Sequence, residues 1–355
     1  MKKKINVLVL GVGGNVSQGI LKALSKIKLP VHVVGGCISP YSSGLYTTDK
    51  AFITPLADDP SFIPWLIDIC ISENIQAILS GAEPVLKILS LNKEEITRQS
   101  GAVPIVCDPE VLSITNDKLK TCKWLEQNGF NYPRFEASED HSAVQKLKEY
   151  CSYPLIAKPR IGKGSQGIFL LNSDSDLAKL QSLKGYVIQE YVGLPETEYT
   201  VGCFSDRHYN VRQSLTFRRK LLQGTTYIAE IEDAKPVRDE AIRIVEKLQP
   251  LGPCNVQMRL SVDGKPVCFE INARFSGTTP IRAHFGFNDV ELSLRHFVLN
   301  EDIDNTENLI KEGIALRYWN EIYINSKCFE KLRETGKLDN PHQCKNFVEQ
   351  YGIEK

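Results

Sequence analysis

Apolar positions follow two different rhythms along the chain. In residues 1–113, short apolar runs that look like buried strands alternate with stretches in which apolar residues recur at helical spacing. The runs are Ile5–Leu10, Val31–Val34, Ile75–Ser80 and Val103–Val106. Strands that alternate with helices are typical of a parallel sheet covered by helices on both faces. The pattern therefore predicts a Rossmann-like α/β domain over residues 1–113.

The rhythm changes after residue 113. A helix is predicted over Asn116–Asn128, with Thr115 or Asn116 as its N-cap and Gly129 at its end. Beyond Pro154, apolar strands follow one another with short connections and a few interspersed helices, which favours antiparallel sheets. Residues 114–300 are therefore predicted to form an α+β domain. Residues 301–355 form a mixed, charged C-terminal segment in which we recognise no motif.

Composition narrows the class of protein. The 355 residues include 43 basic and 43 acidic side chains, so no bulk charge attracts the chain to nucleic acid or to an anionic membrane. The ten cysteines contain no CxxC pair and several lie in apolar runs, which favours reduced thiols. The apolar stretch near the start is too short for a signal peptide, and no run reaches the length of a membrane span. A cytoplasmic protein with neither nucleic-acid nor membrane partners is expected, and a homodimer is compatible with the sequence.

The segment NVQMRLSVDGKPVCFEINARFSG predicts a β-hairpin with chemical side chains on one face. Asp263-Gly264 lies between two apolar runs, which is the strongest short hairpin signal. A two-residue turn there pairs Val262 with Lys265 and places Gln257 directly opposite Glu270. Directly opposed residues point to the same side of a sheet, so these two side chains are expected to meet.

That face carries the ligand types of a magnesium site. Because side chains alternate along a strand, Glu270, Asn272 and Arg274 share one face with Gln257. Carboxylate and amide oxygens suit Mg²⁺, which takes its remaining ligands from water and substrate phosphates. The arginine suits a carboxylate or a developing negative charge. The alternative interpretation is the exposed polar face of an edge hairpin.

The segment LIAKPRIGKGSQGIFLL is a candidate phosphate loop. Lys158 ends one predicted strand, and a loop with Gly162, Gly164 and Gly167 leads to the next. Glycines let backbone N–H groups approach phosphates, and a lysine at a strand end supplies positive charge. The order of residues excludes a P-loop, which would also lead into a helix. The alternative is a flexible hairpin loop.

Three further features are weaker. Glu190–Val192 follows a strand and Glu198 begins another, so this connection could contact a base and a ribose, although ordinary strand ends look the same.

The turn GVGGNVSQG departs from a dinucleotide fingerprint at Val16, and no acidic residue follows the second strand. A structural turn is therefore favoured over the nucleotide site of an NAD-dependent dehydrogenase. In the basic run 218–220, Arg219 faces away from its two neighbours if the run is a strand; a solvated face and a phosphate contact both remain open.

Together these motifs resemble the ATP-grasp superfamily. The order is NDK with Lys118, IAKP with Lys158, the glycine loop, EYV with Glu198, and finally the hairpin face. The hairpin segment is most similar to one half of the carbamoyl-phosphate synthetase large subunit and to related carboxylate–amine ligases. The resemblance spans about residues 1–300. It implies a Rossmann-like pre-ATP-grasp domain followed by an ATP-grasp domain with mostly antiparallel sheets and a lid at about 150–188.

The resemblance also implies roles for individual residues. Nucleotide phosphates would be contacted by Lys118, Lys158 and the lid loop, which comprises Gly162, Lys163, Gly164, Ser165, Gln166 and Gly167. The adenine would meet Glu190, Tyr191 and Val192, and the ribose would meet Glu198. One or two Mg²⁺ ions, or Mn²⁺ in their place, would be held by Gln257, Glu270 and Asn272. Arg274 would orient the acceptor carboxylate, and Arg282 could hold a second carboxylate.

The implied activity is an ADP-forming ligase that joins a small-molecule carboxylate to an amine through an acyl-phosphate. ATP and Mg²⁺ would be its cofactors, and an amino acid or a small metabolite its substrate. Two alternatives stay open: a carboxyphosphate-forming enzyme that uses bicarbonate, and a non-catalytic ATP-binding sensor. The chain shows one ATP-grasp unit and no glutaminase-like segment, which argues against complete carbamoyl-phosphate synthesis.

Overall fold

A parallel sheet forms the N-terminal part of the protein. The computed structural model describes residues 4–162, 164, 166–179, 184–303 and 309–347, and residues 345–347 are described by their backbone alone. The strands of the parallel sheet are β1 (Ile5–Leu10), β2 (Val31–Cys37), β3 (Lys50–Ile53), β4 (Ala77–Ser80) and β5 (Val103–Pro104). They pair in parallel in the order β3-β2-β1-β4-β5. The chain therefore reverses its direction across the sheet between β1 and β4, and such a switch point leaves a crevice at the carboxyl ends of the strands.

Helices pack on this sheet as the alternating pattern predicts. They are α1 (Asn15–Leu24), α2 (Phe62–Ser72), α3 (Glu83–Leu91), α4 (Lys93–Ser100) and α5 (Pro109–Asn116). Residues 7–10 of β1 are fully buried, as expected for a strand covered on both faces. The predicted Rossmann-like α/β fold is confirmed.

The next helix begins two residues later than predicted. Helix α6 spans Lys118–Gln127, and Asp117 is its N-cap, with a side chain that accepts hydrogen bonds from the backbone of Leu119 and Lys120. The prediction of Thr115 or Asn116 as the cap was wrong, because both residues belong to α5. The Asp117 carboxylate also accepts hydrogen bonds from the Arg160 guanidinium at 2.7 and 3.2 Å, which connect the start of α6 to the loop beyond Lys158.

A four-stranded antiparallel sheet follows, with strands β6 (Phe135–Ala137), β7 (Leu155–Pro159), β8 (Phe169–Leu171) and β9 (Tyr186–Glu190) in the order β6-β9-β7-β8. Helices α7 (His141–Tyr150) and α8 (Asp174–Lys179) accompany it. This sheet has a small hydrophobic core of its own, separate from the two larger cores. A separate core is what a subdomain needs in order to move as a unit. The lid at about 150–188 stays a prediction, and the separate core begins earlier, in α7.

The central sheet is antiparallel and contains β10 (Glu198–Ser205), β11 (Val211–Leu222), β12 (Thr225–Ile231), β13 (Gly252–Leu260) and β14 (Pro266–Asn272). These strands pair in the order β14-β13-β10-β11-β12. Helix α9 (Lys235–Leu248) lies between β12 and β13 in the chain, and helices α10 (Thr279–His284) and α11 (Asp289–Ser293) come after β14. The predicted antiparallel character of this region is confirmed.

The β13–β14 hairpin reaches the predicted register by a different route. Its loop is longer than the predicted two-residue turn, because Ser261 donates its N–H to the carbonyl of Lys265 at 2.9 Å. A bulge then makes Phe269 an extra residue in β14 and shifts the register by one. Gln257 therefore still lies opposite Glu270, as predicted.

The C-terminal segment extends both large sheets. Strand β15 (Ile314–Leu316) pairs with β12 at the edge of the central sheet. Next come β16 (Tyr323–Ile324), α12 (Ser326–Thr335), β17 (Lys337–Asp339) and β18 (Lys345–Phe347), of which β17 pairs antiparallel with β3. The segment thus ties the two parts of the chain together through backbone hydrogen bonds, which require no sequence motif.

Two cysteines of this segment differ from the expectation of reduced thiols. Cys328 and Cys344 form a disulfide, whereas the other eight cysteines are free and buried. Spacing gave no sign of the pair, because the two residues are brought together by β17 folding back on the N-terminal sheet. Within the described ranges, no helix is both long and apolar enough to cross a membrane.

Candidate active site

Two adjoining cavities lie where the central sheet faces its neighbours. The larger, of about 650 Å³, lies between the central sheet and the carboxyl ends of the parallel strands. The smaller, of about 340 Å³, lies between the central sheet and the four-stranded sheet. Their common boundary is formed by residues that line both: Lys118, Gly162, Gly164, Gln166, Arg219, Gln257 and Glu270. All but one of these residues, Arg219, are among the predicted site residues.

The smaller cavity has an apolar interior beside a strand connection. Ile156, Ile168, Leu170, Leu221 and Phe269 supply apolar walls, and the predicted residues Glu190, Tyr191 and Val192 line the same space. An apolar slot with a few polar groups at its edge suits an aromatic base. Sequence reasoning missed Gln189, whose buried Oε1 has no hydrogen-bond partner among the described residues and so offers an acceptor to a ligand.

Two lysines lie at the boundary or beside it. Lys158, at the end of β7, is buried, and its Nζ lies 4.9 Å from the centroid of the Phe269 ring. Burial lowers the pKa of Lys158 to about 8, although Glu270 favours the charged form. Lys118 begins α6, and its Nζ donates to the carbonyl of Gly162 at 3.2 Å. Lys118 therefore contacts the predicted loop, and Lys158 lines the smaller cavity together with that loop.

The loop itself closes on a turn of the central sheet. Gly162, Gly164 and Gln166 line both cavities, whereas Lys163 and Ser165 lie outside the described residues. Gly164 has φ +63°, and its carbonyl lies directly against Gly224 in the β11–β12 turn, where a Cβ would collide with it. Gly167 has φ +70° and lies beyond the cavity lining.

Glu270 is the central carboxylate of the boundary. Its Oε1 accepts hydrogen bonds from Asn272 Nδ2 at 2.9 Å and from Gln257 Nε2 at 3.3 Å, so the three predicted metal ligands are in contact. Burial by itself raises the pKa of Glu270, but Lys118, the Asn272 hydrogen bond, Arg219 and Lys158 outweigh it and hold the pKa below its usual value. The group is therefore an anion at neutral pH.

The donor set fits a magnesium ion held mainly by substrate. No group of three His, Cys, Asp or Glu side chains that could hold a metal occurs in the described part of the chain. One carboxylate with two amide oxygens is a set that Mg²⁺ completes with phosphate oxygens and water. Gln257 Oε1 accepts a hydrogen bond from Arg219, so it could bind the ion only after that hydrogen bond breaks. The assignment of Gln257, Glu270 and Asn272 as ligands stays a prediction.

Arg219 is the functional candidate that sequence reasoning left undecided. It is buried in β11, and its guanidinium donates to Glu198 Oε1 at 2.8 and 3.0 Å and to Gln257 Oε1 at 2.6 Å. Its neighbours Arg218 and Lys220 are exposed, as strand parity predicts. Arg219 therefore brings a positive charge to the boundary between the cavities.

Glu198 is placed in the smaller cavity, but its carboxylate is fully engaged. Oε1 accepts two hydrogen bonds from Arg219, and Oε2 accepts two from Arg259 at 2.8 and 3.0 Å. A ribose hydroxyl could bind this carboxylate only after one arginine moved. The ribose role stays a prediction, whereas the visible role is to hold two arginines, one of which also stacks on Tyr191.

Arg274 lies beyond the end of β14 and reaches across to the N-terminal domain. Its Nη2 donates to Glu83 Oε1 at 3.1 Å and its Nη1 to the carbonyl of Phe275 at 2.9 Å. It lines the larger cavity with Glu270 and Asn272, so the predicted neighbours are together. Glu83 was not predicted, because it lies 191 positions away in the sequence.

Arg282 does not lie where the resemblance suggested. Its side chain is 1% exposed, forms an ion pair with Asp289 and donates to the hydroxyls of Ser276, Thr278 and Thr279. It is absent from the described lining of either cavity. The role of Arg282 in holding a second carboxylate stays a prediction, and its ion pair with Asp289 does not support that role.

The family models cover most of the chain. Residues 115–278 match the ATP-grasp domain, and residues 7–105 match the PylC-like N-terminal domain. The chain therefore contains an ATP-grasp domain that follows a PylC-like N-terminal domain. The resemblance that the motifs carry is thereby confirmed.

Relatives share parts of this architecture. The carbamoyl phosphate synthase large chain of Pseudothermotoga lettingae is 21% identical over 312 residues, which are 78% of this chain and 27% of the relative. A carbamoyl-phosphate synthase of Methanobrevibacter smithii is 27% identical over 132 residues, 36% of this chain and 34% of the relative. This ATP-grasp chain thus spans about a quarter to a third of the length of these curated relatives.

Solved structures share the fold. N5-carboxyaminoimidazole synthetase from Staphylococcus aureus, complexed with ADP, has a TM-score of 0.70 at 17% identity and covers 89% of this chain and 83% of its own. The biotin carboxylase domain dimer of Hydrogenobacter thermophilus 2-oxoglutarate carboxylase, in complex with MgADP, ADP and bicarbonate, has a TM-score of 0.66 at 13% identity, covering 87% of this chain and 73% of its own.

Proposed function

We propose that this protein is an ADP-forming carboxylate–amine ligase that uses ATP with Mg²⁺ and passes through an acyl-phosphate. The observation that carries the proposal is the shared boundary of the two cavities, where Lys118, Arg219, Gln257 and Glu270 face both. A nucleotide in the smaller cavity would present its γ-phosphate at this boundary, and an acceptor acid in the larger cavity would meet it there.

The charges around the boundary support this chemistry. Five cations (Lys118, Lys158, Arg219, Arg259 and Arg274) accompany four carboxylates (Glu83, Glu190, Glu198 and Glu270) in the described linings. The surplus of positive charge favours a polyphosphate and an attacking carboxylate at the same place. Transfer of a phosphoryl group between two anions depends mainly on positioning and on neutralising charge.

Each residue has a distinct task in this proposal. Lys118 and Lys158 hold the phosphates, and the glycine loop covers them. Mg²⁺, when bound beside Glu270, Gln257 and Asn272, neutralises charge on the transferred phosphoryl group. Arg274 orients the acceptor carboxylate and stabilises the acyl-phosphate. An amine then displaces phosphate from the acyl carbon.

The volume of the larger cavity favours this function over the bicarbonate alternative. A space of about 650 Å³ is in the range of pockets for small organic molecules, whereas bicarbonate has only four heavy atoms. A reducing, cytoplasmic setting is part of the proposal and is supported by eight free cysteines, although the Cys328–Cys344 disulfide does not support it.

The test is release of ADP and phosphate from Mg-ATP against a panel of carboxylates, each with and without amino acids or ammonia. We expect release that requires one acid and one amine. Release with bicarbonate alone would favour the carboxyphosphate enzyme, and tight ATP binding with no release under any pairing would favour the sensor.

A further inference from the structure

The larger cavity has two walls of different charge. The wall from the central sheet and α6 carries Lys118, Arg219, Arg274 and Glu270. Among the described residues of the N-terminal domain, Glu83 is the single charged residue that lines the cavity. The rest of that N-terminal wall is largely apolar and includes Ile38, Pro55, Leu56, Phe62 and Val85. No lysine or arginine of the described N-terminal domain lines the cavity.

Glu83 stands at the switch point of the parallel sheet. It is the first residue of α3, which follows β4, and it lines the cavity together with the glycine turn that follows β1. Its side chain is 26% exposed and its Oε1 accepts from Arg274, while no hydrogen bond to Oε2 occurs within the described ranges. One oxygen of the carboxylate is therefore available to a ligand.

The second carboxylate in the cavity is committed to other partners. Glu270 accepts hydrogen bonds from two amides, and it lies among the cations Lys118, Arg219 and Lys158. Lys118, Arg219 and Arg274 would repel an ammonium group that approached from their side. The favourable route for an ammonium group therefore runs along the N-terminal wall to Glu83.

We propose that Glu83 binds the ammonium group of the amine substrate and accepts its proton, and that this substrate is a primary amine with an apolar, unphosphorylated body. The inference rests on the proposed ligase function. Because Glu83 and Arg274 share a hydrogen bond, an acyl group on Arg274 lies beside the amine on Glu83. The apolar side chains of the N-terminal wall would receive the body of the amine.

The chemical step balances. The ammonium group gives one proton to Glu83, and the freed lone pair of nitrogen attacks the acyl carbon. The bond from carbon to the phosphate oxygen then breaks, and phosphate leaves with the electron pair and takes the second nitrogen-bound proton. The products are the amide, hydrogen phosphate and a protonated Glu83, which returns its proton to solvent.

A binding measurement tests the ammonium site without ATP or an acid. Saturation-transfer NMR at pH 7 would compare n-butylamine, which is an ammonium ion there, with the neutral n-butanol. We expect Glu83→Gln to lower the transfer to n-butylamine at least fivefold and to leave n-butanol unchanged. Glu110→Gln is the matched control, since Glu110 lies in the first turn of α5 but outside both cavity linings. Equal transfer in Glu83→Gln and wild type would overturn the proposal.

Turnover separates amine binding from a role in holding Arg274. With the acid and amine identified by the panel, Glu83→Gln should raise the KM of the amine at least tenfold and leave the KM of the acid within twofold. Hydroxylamine is largely unprotonated at pH 7. The fold-loss of rate that Glu83→Gln causes should therefore be at least tenfold smaller with hydroxylamine than with the amine. An equal fold-loss of rate with both nucleophiles would overturn the proposal, because it would mean that Glu83 only holds Arg274 in position. Failure of the ligase itself would appear as no ADP release by wild type, and the NMR result would still decide the ammonium site.

Discussion

Replacing Arg219 should cost far more stability than replacing the adjacent Arg218. The two residues are neighbours in one strand, but the Arg219 side chain is 8% exposed and the Arg218 side chain is 44% exposed. Arg219→Met keeps much of the side-chain volume and leaves Glu198 Oε1 without its two hydrogen bonds. Arg218→Met breaks contacts with Glu230 and Glu232, which are themselves partly exposed.

The expected magnitudes follow from burial. Removing one partner of a buried ion pair costs about 3–5 kcal/mol, and Arg259 still holds Oε2 of Glu198, so we expect about 3 kcal/mol for Arg219→Met. An exposed ion pair is worth about 0–1 kcal/mol, which sets the expectation for Arg218→Met. At about 2–4 °C per kcal/mol, the melting temperature should fall by about 6–12 °C and by less than about 4 °C respectively.

Thermal unfolding of the two variants and of a double variant measures these differences. If the cost arises from an unpaired buried carboxylate, adding Glu198→Gln to Arg219→Met should restore at least about 1 kcal/mol, because the charge is removed. Equal shifts for Arg219→Met and Arg218→Met would refute the reasoning.

Three further predictions concern the proposed nucleotide and metal sites. Glu270→Ala should lower Mg²⁺-dependent turnover by about a hundredfold or more while the protein stays folded, because it removes the central carboxylate; near-normal rates would contradict the metal assignment. Because burial lowers the pKa of Lys158 to about 8, its positive charge is lost as pH rises, and calorimetry should show ADP binding about tenfold weaker at pH 9 than at pH 7, with a flat profile in Lys158→Arg. Gly224→Ala should weaken ADP binding because its Cβ would collide with Gly164, whereas Gly101→Ala, also at positive φ but in open space, should leave ADP binding unaffected.

Local pattern determined much of the candidate site. The alternation of side chains along β14 and the Asp-Gly turn signal placed Gln257 opposite Glu270, because strand parity depends only on neighbouring residues. The wrong turn length did not change the predicted pairing at the site, since the bulge at Phe269 compensated for the longer loop. Parity likewise predicted that Arg219 faces away from Arg218.

Long-range packing decided the rest. The contacts of Arg219 with Glu198, of Arg274 with Glu83, and of Arg282 with Asp289 depend on how separate elements approach each other. Strand β17 completes the N-terminal sheet through backbone hydrogen bonds to β3, which carry no signature of side-chain type. The sequence by itself determined the order of elements and the faces of individual strands, because these follow from local periodicity. Which charges meet across the two cavities was decided only by the tertiary structure, because pairing of distant side chains leaves no periodic trace in the chain.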